Sequence, residues 1–310
     1  MTENCLEGRD NMAVKIDNLS TEKRNEKTKD IDLLSVDEIL KIMNEEDLKV
    51  VDAVKGALPE IRIVIDECIQ TYKRGGRIIY IGAGTSGRLG LMDAVEVVPT
   101  YNSDRFVGLI AGGDNAFVKA VEGAEDSREL AVEDLKNISL NEKDMVIGIA
   151  ASGRTPYVIG GLDYAREVGA STGCLCCNFN TEIADHCDLP IELSAGPEVV
   201  TGSTRLKSGT CQKIVLNMIS TVTMVKVGKV FGNLMVDVKA TNEKLVERCR
   251  RVVMEATGCD HDKADAVLKQ TENNCKLAIV MILLNIPLNE AKEKLERAED
   301  NIRIALNQMC

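Results

Sequence analysis

The chain has 310 residues, with 49 Asp and Glu against 38 Lys and Arg, for a formal net charge of −11. Phosphate-backbone and anionic-lipid binding rest on clustered cations, so this balance sets nucleic acid and membrane aside as partners. Two histidines, no Trp, four Phe and five Tyr leave little for imidazole catalysis or base stacking, and direct attention to carboxylates, hydroxyls and backbone amides.

Residues 1–30 read as a polar, charge-mixed arm; MTENCLEGRD has no apolar core of the signal-peptide kind, so a cytoplasmic location is expected. Helices follow. Ser35 and Glu38 in SVDE form a capping-box pattern, and Pro59 opens a second helix whose apolar positions Ile61, Val64, Ile65, Cys68, Ile69 and Tyr72 recur at helical spacing until Gly75 and Gly76. From Arg77 the texture changes to short apolar runs, RIIYIGA, FVGLIAG, MVIGIAA, TGCLCC and LPIELS, separated by Gly-rich turns and helical segments such as Pro156 to Val168. Nearly continuous apolar character over four to seven residues is expected of strands buried on both faces of a parallel sheet, so the pattern predicts a doubly wound α/β domain over 31–238. Two 12-residue apolar runs, Ile214–Val225 and Leu277–Leu288, are too short to span a bilayer and read as buried helices. After Thr241 the strand signals cease, and charged amphipathic helices broken at Gly258 and Pro287 predict a small helical domain over 239–310.

Eleven cysteines, an odd number in a long chain without an export signal, read as reduced thiols. Cys174, Cys176 and Cys177 fall in a strand pattern and read as small buried hydrophobes. His186 and Cys187 lack a second ligand pair, and no metal site is expected.

Chemistry concentrates in three loops. IGAGTSGRLG at 81–90 satisfies G-x-G-x-x-G through Gly82, Gly84 and Gly87, but the first carboxylate after the next strand, Asp114, lies too far on for a dinucleotide fingerprint. Arg88 stands where a nucleotide P-loop has Lys, so no nucleotide cofactor is expected. Thr85 and Ser86 instead offer hydroxyls, beside free helix amides, to a single phosphate. AASGRTPYV repeats that chemistry with Ser152, Arg154 and Thr155, and VTGSTRLKSGT adds Ser203, Thr204, Arg205 and Lys207. Three hydroxyl-rich helix starts after successive strands fit a crevice for an anionic polyol, with Arg154 and Lys207 as sources of positive charge.

GAGTSGRLGLMDAVE, AGGDNAFVKAVEGAED, GIAASGRTPYV and VTGSTRLKSGTCQKIVLNM, taken with LSTEKRN, TNEKL and ATGC, resemble in the same order the signature segments of the N-acetylmuramic acid 6-phosphate etherase family over roughly residues 19–310. The resemblance implies a flavodoxin-like sugar isomerase (SIS) domain that binds phosphosugars, a small ubiquitin-associated-like helical domain and a homodimer. It further implies a metal-free, cofactor-free lyase that splits a D-lactyl ether, giving N-acetylglucosamine 6-phosphate and D-lactate. In an open-chain aldehyde the C2 proton is acidic and the ether oxygen on C3 leaves by β-elimination, followed by water addition. Two carboxyl groups of opposite protonation suffice for this. By resemblance Glu96 is the acid at the leaving oxygen and Glu125 the base at C2, with Glu122 the rival base. A non-catalytic phosphosugar regulator and an aldose–ketose isomerase are the alternative functions. This chain reads AVEVVPT where the family has ASECPPT, and it is about two residues shorter before the next strand.

Overall fold

A computed structural model describes residues 19–119, 121–240 and 242–307. The first 18 residues of the expected arm, Ala120, Thr241 of TNEKL and residues 308–310 lie outside the described residues. Leu19, Thr21, Asn25 and Thr28 are buried, and Ser20 and Asn25 bond to Ser194 and to the Pro197 carbonyl. The arm therefore packs along its own chain.

Helix α1 (Val36–Gly56) opens on the Ser35–Glu38 capping box, and α2 (Leu58–Lys73) carries Pro59 in its first turn. Each of the five apolar runs then supplies one strand: β1 (Ile78–Gly82), β2 (Phe106–Ile110), β3 (Met145–Ala150), β4 (Ser171–Cys176) and β5 (Leu189–Glu192). All pair in parallel in the order β2-β1-β3-β4-β5, the flavodoxin-like order. The connecting helices are α3 (Gly84–Tyr101), α4 (Asn115–Val118), α5 (Arg128–Asn137), α6 (Pro156–Val168) and α7 (Lys207–Lys226).

Alternation along β1 explains the double burial. Ile78 and Tyr80 enter a core with α1, α2, α3 and α7, while Ile79 and Ile81 enter a second core with α5 and α6. Cys174 and Cys176 lie on the second face with Cys187, and Cys177 lies on the first, all buried as small apolar groups. Of the two 12-residue runs, Ile214–Val225 lies wholly within α7.

Beyond α7 a third core forms. A two-stranded hairpin, β6 (Val230–Phe231) and β7 (Leu234–Met235), turns through Gly232 and Asn233, with Gly232 at φ 62° as the tight turn requires. This hairpin lies before residue 239, where the helical domain was expected to begin, and was not anticipated because two-residue strands leave no alternating run to detect. It packs with α8 (Glu243–Thr257), α9 (His261–Gln270), α10 (Cys275–Leu284), α11 (Leu288–Arg297) and α12 (Ile302–Asn307). The run Leu277–Leu288 is not one helix. Asn285 adopts the left-handed conformation to close α10, and Pro287 is the N-cap of α11. Among the described residues no helix is long and apolar enough to cross a membrane.

Candidate functional site

Strand order fixes where ligand chemistry can gather. The chain leaves β1 for one sheet edge and returns to β3 on the other side of β1, so the loops after β1 and β3 diverge to opposite faces and open a crevice at the carboxyl ends. The first loop puts Thr85 and Ser86 in the opening turn of α3, whose N-cap is Ala83. The second puts Ser152 and Arg154 half-buried before α6, with Thr155 as its N-cap and the Thr155 side chain making no cap bond. These two loops leave neighbouring strands, β1 and β3.

Both loops are held from behind. Gly87 lets α3 approach β1: a Cβ there would stand 2.6 Å from the Gly82 carbonyl oxygen and 2.7 Å from Ile110 Cγ1. Gly87→Ala is expected to cost about 1–3 kcal/mol, read as a melting temperature lower by several degrees. An unchanged melting curve would show that this close approach is dispensable. The Ser152 loop is tied by buried Asn178, which donates to the Ala151 carbonyl at 3.1 Å and to Thr21 Oγ1 at 3.1 Å, so the N-terminal arm braces the loop. Gly153, at φ 75°, lies against Thr181 where a Cβ would meet Cγ2 at 2.3 Å.

The third loop differs from expectation. Ser203 is half-buried and leads toward α7, but Lys207 turns inward: it is 1 % exposed, and its Nζ donates to Glu46 Oε2 at 2.7 Å, with Glu46 itself fully buried. Its charge is spent inside the protein. Burial opposes ionisation of Glu46, yet hydrogen bonds and charge from Lys207 and Lys49 outweigh it and hold the carboxyl at about 2. The α7 amides are engaged as well. Buried Glu198 accepts from the Lys207 N–H at 3.0 Å and from the Ser208 N–H and hydroxyl, each at 2.9 Å. Neither Glu46 nor Glu198 carries a local signal, because the partners stand far apart or outside any helix-cap pattern.

A cavity of about 210 Å³ lies beside the start of α3, lined by Gly84, Arg88, Val121, Glu122 and Glu125 among others. Both glutamates therefore line a cavity at the start of α3. They reach it by a turn, since Gly123 sits at φ 77° between them and only Ala124–Asp126 is helical, as a 3₁₀ turn. Arg88, set aside on sequence grounds because it breaks the P-loop pattern, lines this cavity and donates to the Ala116 and Phe117 carbonyls at 2.8 and 3.0 Å. It thereby fixes the segment leading to the two glutamates.

Glu96 does not line that cavity. It is exposed on α3, about 18 Å along the axis from Gly84. The helix continues past it through Pro99 to Tyr101. The exposed apolar side chains Met92, Val95 and Val98 surround it. One turn before it, buried Asp93 accepts from Asn217 Nδ2 at 2.6 Å and Ser220 Oγ at 3.1 Å, locking α3 to α7; burial raises this carboxyl against those bonds.

Comparison with known proteins agrees with this architecture. The model for the glucokinase regulatory protein N-terminal SIS domain matches residues 60–166, and that for the SIS domain matches residues 125–222. The α/β portion is thus a sugar isomerase domain. An N-acetylmuramic acid 6-phosphate etherase of Bacillus cereus strain G9842 is 57 % identical over 293 residues, covering 94 % of this chain and 100 % of that protein, and one of Exiguobacterium sp. strain AT1b is 55 % identical over the same coverage. The chain belongs to the N-acetylmuramic acid 6-phosphate etherase family. Among solved structures, a phosphoheptose isomerase from Francisella tularensis aligns at 14 % identity and TM-score 0.49, covering 62 % of this chain and 100 % of that one. A phosphoheptose isomerase from Neisseria gonorrhoeae aligns at 14 % identity and TM-score 0.47, covering 61 % and 98 %.

Proposed function

We infer that this protein is a lyase that cleaves the D-lactyl ether of N-acetylmuramic acid 6-phosphate, releasing D-lactate and N-acetylglucosamine 6-phosphate, in cytoplasmic recovery of cell-wall amino sugars. The observation that carries this reading is near-full-length identity to etherases, together with a carboxylate-lined cavity beside the α3 phosphate loop. In it Thr85, Ser86, Ser152 and Thr155 hold the 6-phosphate with the free α3 amides, Arg154 and Ser203 border the sugar, and Lys207 acts by fixing its loop through Glu46. Glu125 takes the C2 proton and Glu96 protonates the departing lactate oxygen. Helix amides and hydroxyls supply the local attraction that a protein of net charge −11 otherwise lacks for a dianion.

Glu96 enters this scheme through a second copy of the chain. Met92, Val95 and Val98 on α3, Val222 and Val225 on α7, and Leu40 and Val51 on α1 leave an apolar surface on adjoining helices, which supports a homodimer that buries it and brings Glu96 into a shared pocket. Sedimentation as a monomer at micromolar concentration would sink the dimer and, with it, the role of Glu96. The self-contained core from Phe231 to Ala305 supports a separate C-terminal domain, with its start at or before Phe231 in place of the residue 239 expected from the loss of strand signals.

The test is chemical. Incubation with N-acetylmuramic acid 6-phosphate in heavy water enriched in ¹⁸O is expected to release D-lactate and to leave deuterium at C2 and labelled oxygen at C3 of the sugar product. Deuterium at C2 without lactate release would identify an isomerase instead, and no turnover would identify a regulator.

A further inference from the structure

Gln212, on the α7 face toward α3, is fully buried. Its Oε1 accepts the Ser86 hydroxyl at 3.0 Å, while its Nε2 is buried and makes no hydrogen bond to any described residue. A buried amide donor left unmade costs about as much as the bond it forgoes. The arrangement also turns the Ser86 proton toward α7 and away from the crevice, although Ser86 lies in the first turn of α3 where the helix amides point outward. Rotating the carboxamide by half a turn exchanges O and N within nearly the same volume. Nε2 then donates to Ser86 Oγ, the unpaired group becomes the carbonyl oxygen in place of the amide N–H, and the Ser86 proton is free to be given to an anion at the start of α3.

We propose that Gln212 is a positioning residue that sets the direction of the Ser86 hydroxyl, accepting its proton when the crevice is empty and donating to its oxygen when a phosphate monoester is bound. This rests on the reading of Ser86 as a phosphate ligand. Gln212 itself touches no substrate; it acts only through the Ser86 oxygen. Thr85, whose Cγ2 lies against Gly209 one turn before Gln212 on α7, has no such partner described and keeps a fixed role.

The experiment is a double-mutant cycle read by inorganic phosphate as a competitive inhibitor and by KM for the phosphosugar, on the full-length enzyme. Ser86→Ala is expected to raise both constants about tenfold. Gln212→Met, similar in length but unable to bond, is expected to raise both several-fold with kcat nearly unchanged, and to add less than twofold in the Ser86→Ala background. Gln212→Glu, which as a carboxylate can only accept, is expected to weaken phosphate at least as much as Gln212→Met. It also provides a second probe should the Met variant fail to fold, as judged by its melting curve. Effects of Gln212→Met that persist undiminished without the Ser86 hydroxyl would overturn the proposal, as would Gln212→Glu binding phosphate like wild type. If Ser86→Ala leaves the phosphate constant unmoved, the assignment of Ser86 fails first and the proposal falls with it.

Discussion

Replacing Glu125 by glutamine is expected to lower D-lactate release by about 10²- to 10⁴-fold, the usual worth of one positioned proton transfer, with KM little changed. The amide keeps the shape of the side chain on the cavity wall and removes only its basicity. The sharper result is isotopic. Without a base at C2, substrate recovered from heavy water should carry no deuterium there. Glu96→Gln should differ, because the proton at C2 can still be removed while the lactate oxygen leaves poorly: C2 exchange should then outrun lactate release. Equal loss of both signals in Glu96→Gln would show that the two glutamates do not divide the reaction as assigned. Glu122 lines the same cavity. A wild-type rate for Glu125→Gln with loss in Glu122→Gln would move the base by three residues.

The second large effect is on stability. Lys207→Met removes the cation from a fully buried carboxylate, leaving Glu46 to Asn25 Nδ2 at 3.0 Å and to half-exposed Lys49 at 2.6 Å. Breaking one side of a buried pair typically costs about 3–5 kcal/mol, which for a domain of this size lowers the melting temperature by roughly 10 °C. Glu46→Met combined with Lys207→Met should recover much of that loss, since no lone charge remains inside. The pH dependence has a definite sign. With its carboxyl held at about 2 against an ordinary 4.5, Glu46 contributes stability that is complete above pH 4.5 and is lost as pH falls toward 2. The amount is about 3 kcal/mol at 1.36 kcal/mol per unit. Lys207→Met should flatten this acid limb; a Lys207→Met protein melting within about 2 °C of wild type would refute the account.

How far the sequence led depended on range. Strands β1 to β5 were legible because each is a short apolar run that must be buried on both faces, and the Ser35 cap because its partner is three residues away. Hydroxyls at the starts of α3 and α6 were legible for the same local reason. The roles of Glu96 and Glu125 came from resemblance, since nothing in the spacing of carboxylates in an acidic chain singles out two. Lys207 was misjudged because its partner lies 161 residues earlier, on α1, and a lysine in a polar loop looks free until the fold brings that carboxylate to it. Gln212 was invisible in the same way, 126 residues from Ser86.

Glu198 gives the third loop a different meaning. With its carboxylate seated on the first amides of α7, the protein carries there a tethered counter-anion of its own. A free phosphate or sulfate competing for that helix start would have to evict a covalently attached rival and strand a charge with no access to water. Of the three hydroxyl-rich helix starts, that of α7 is thus already occupied by a carboxylate of the protein itself, which leaves the starts of α3 and α6 as the ones open to an outside anion.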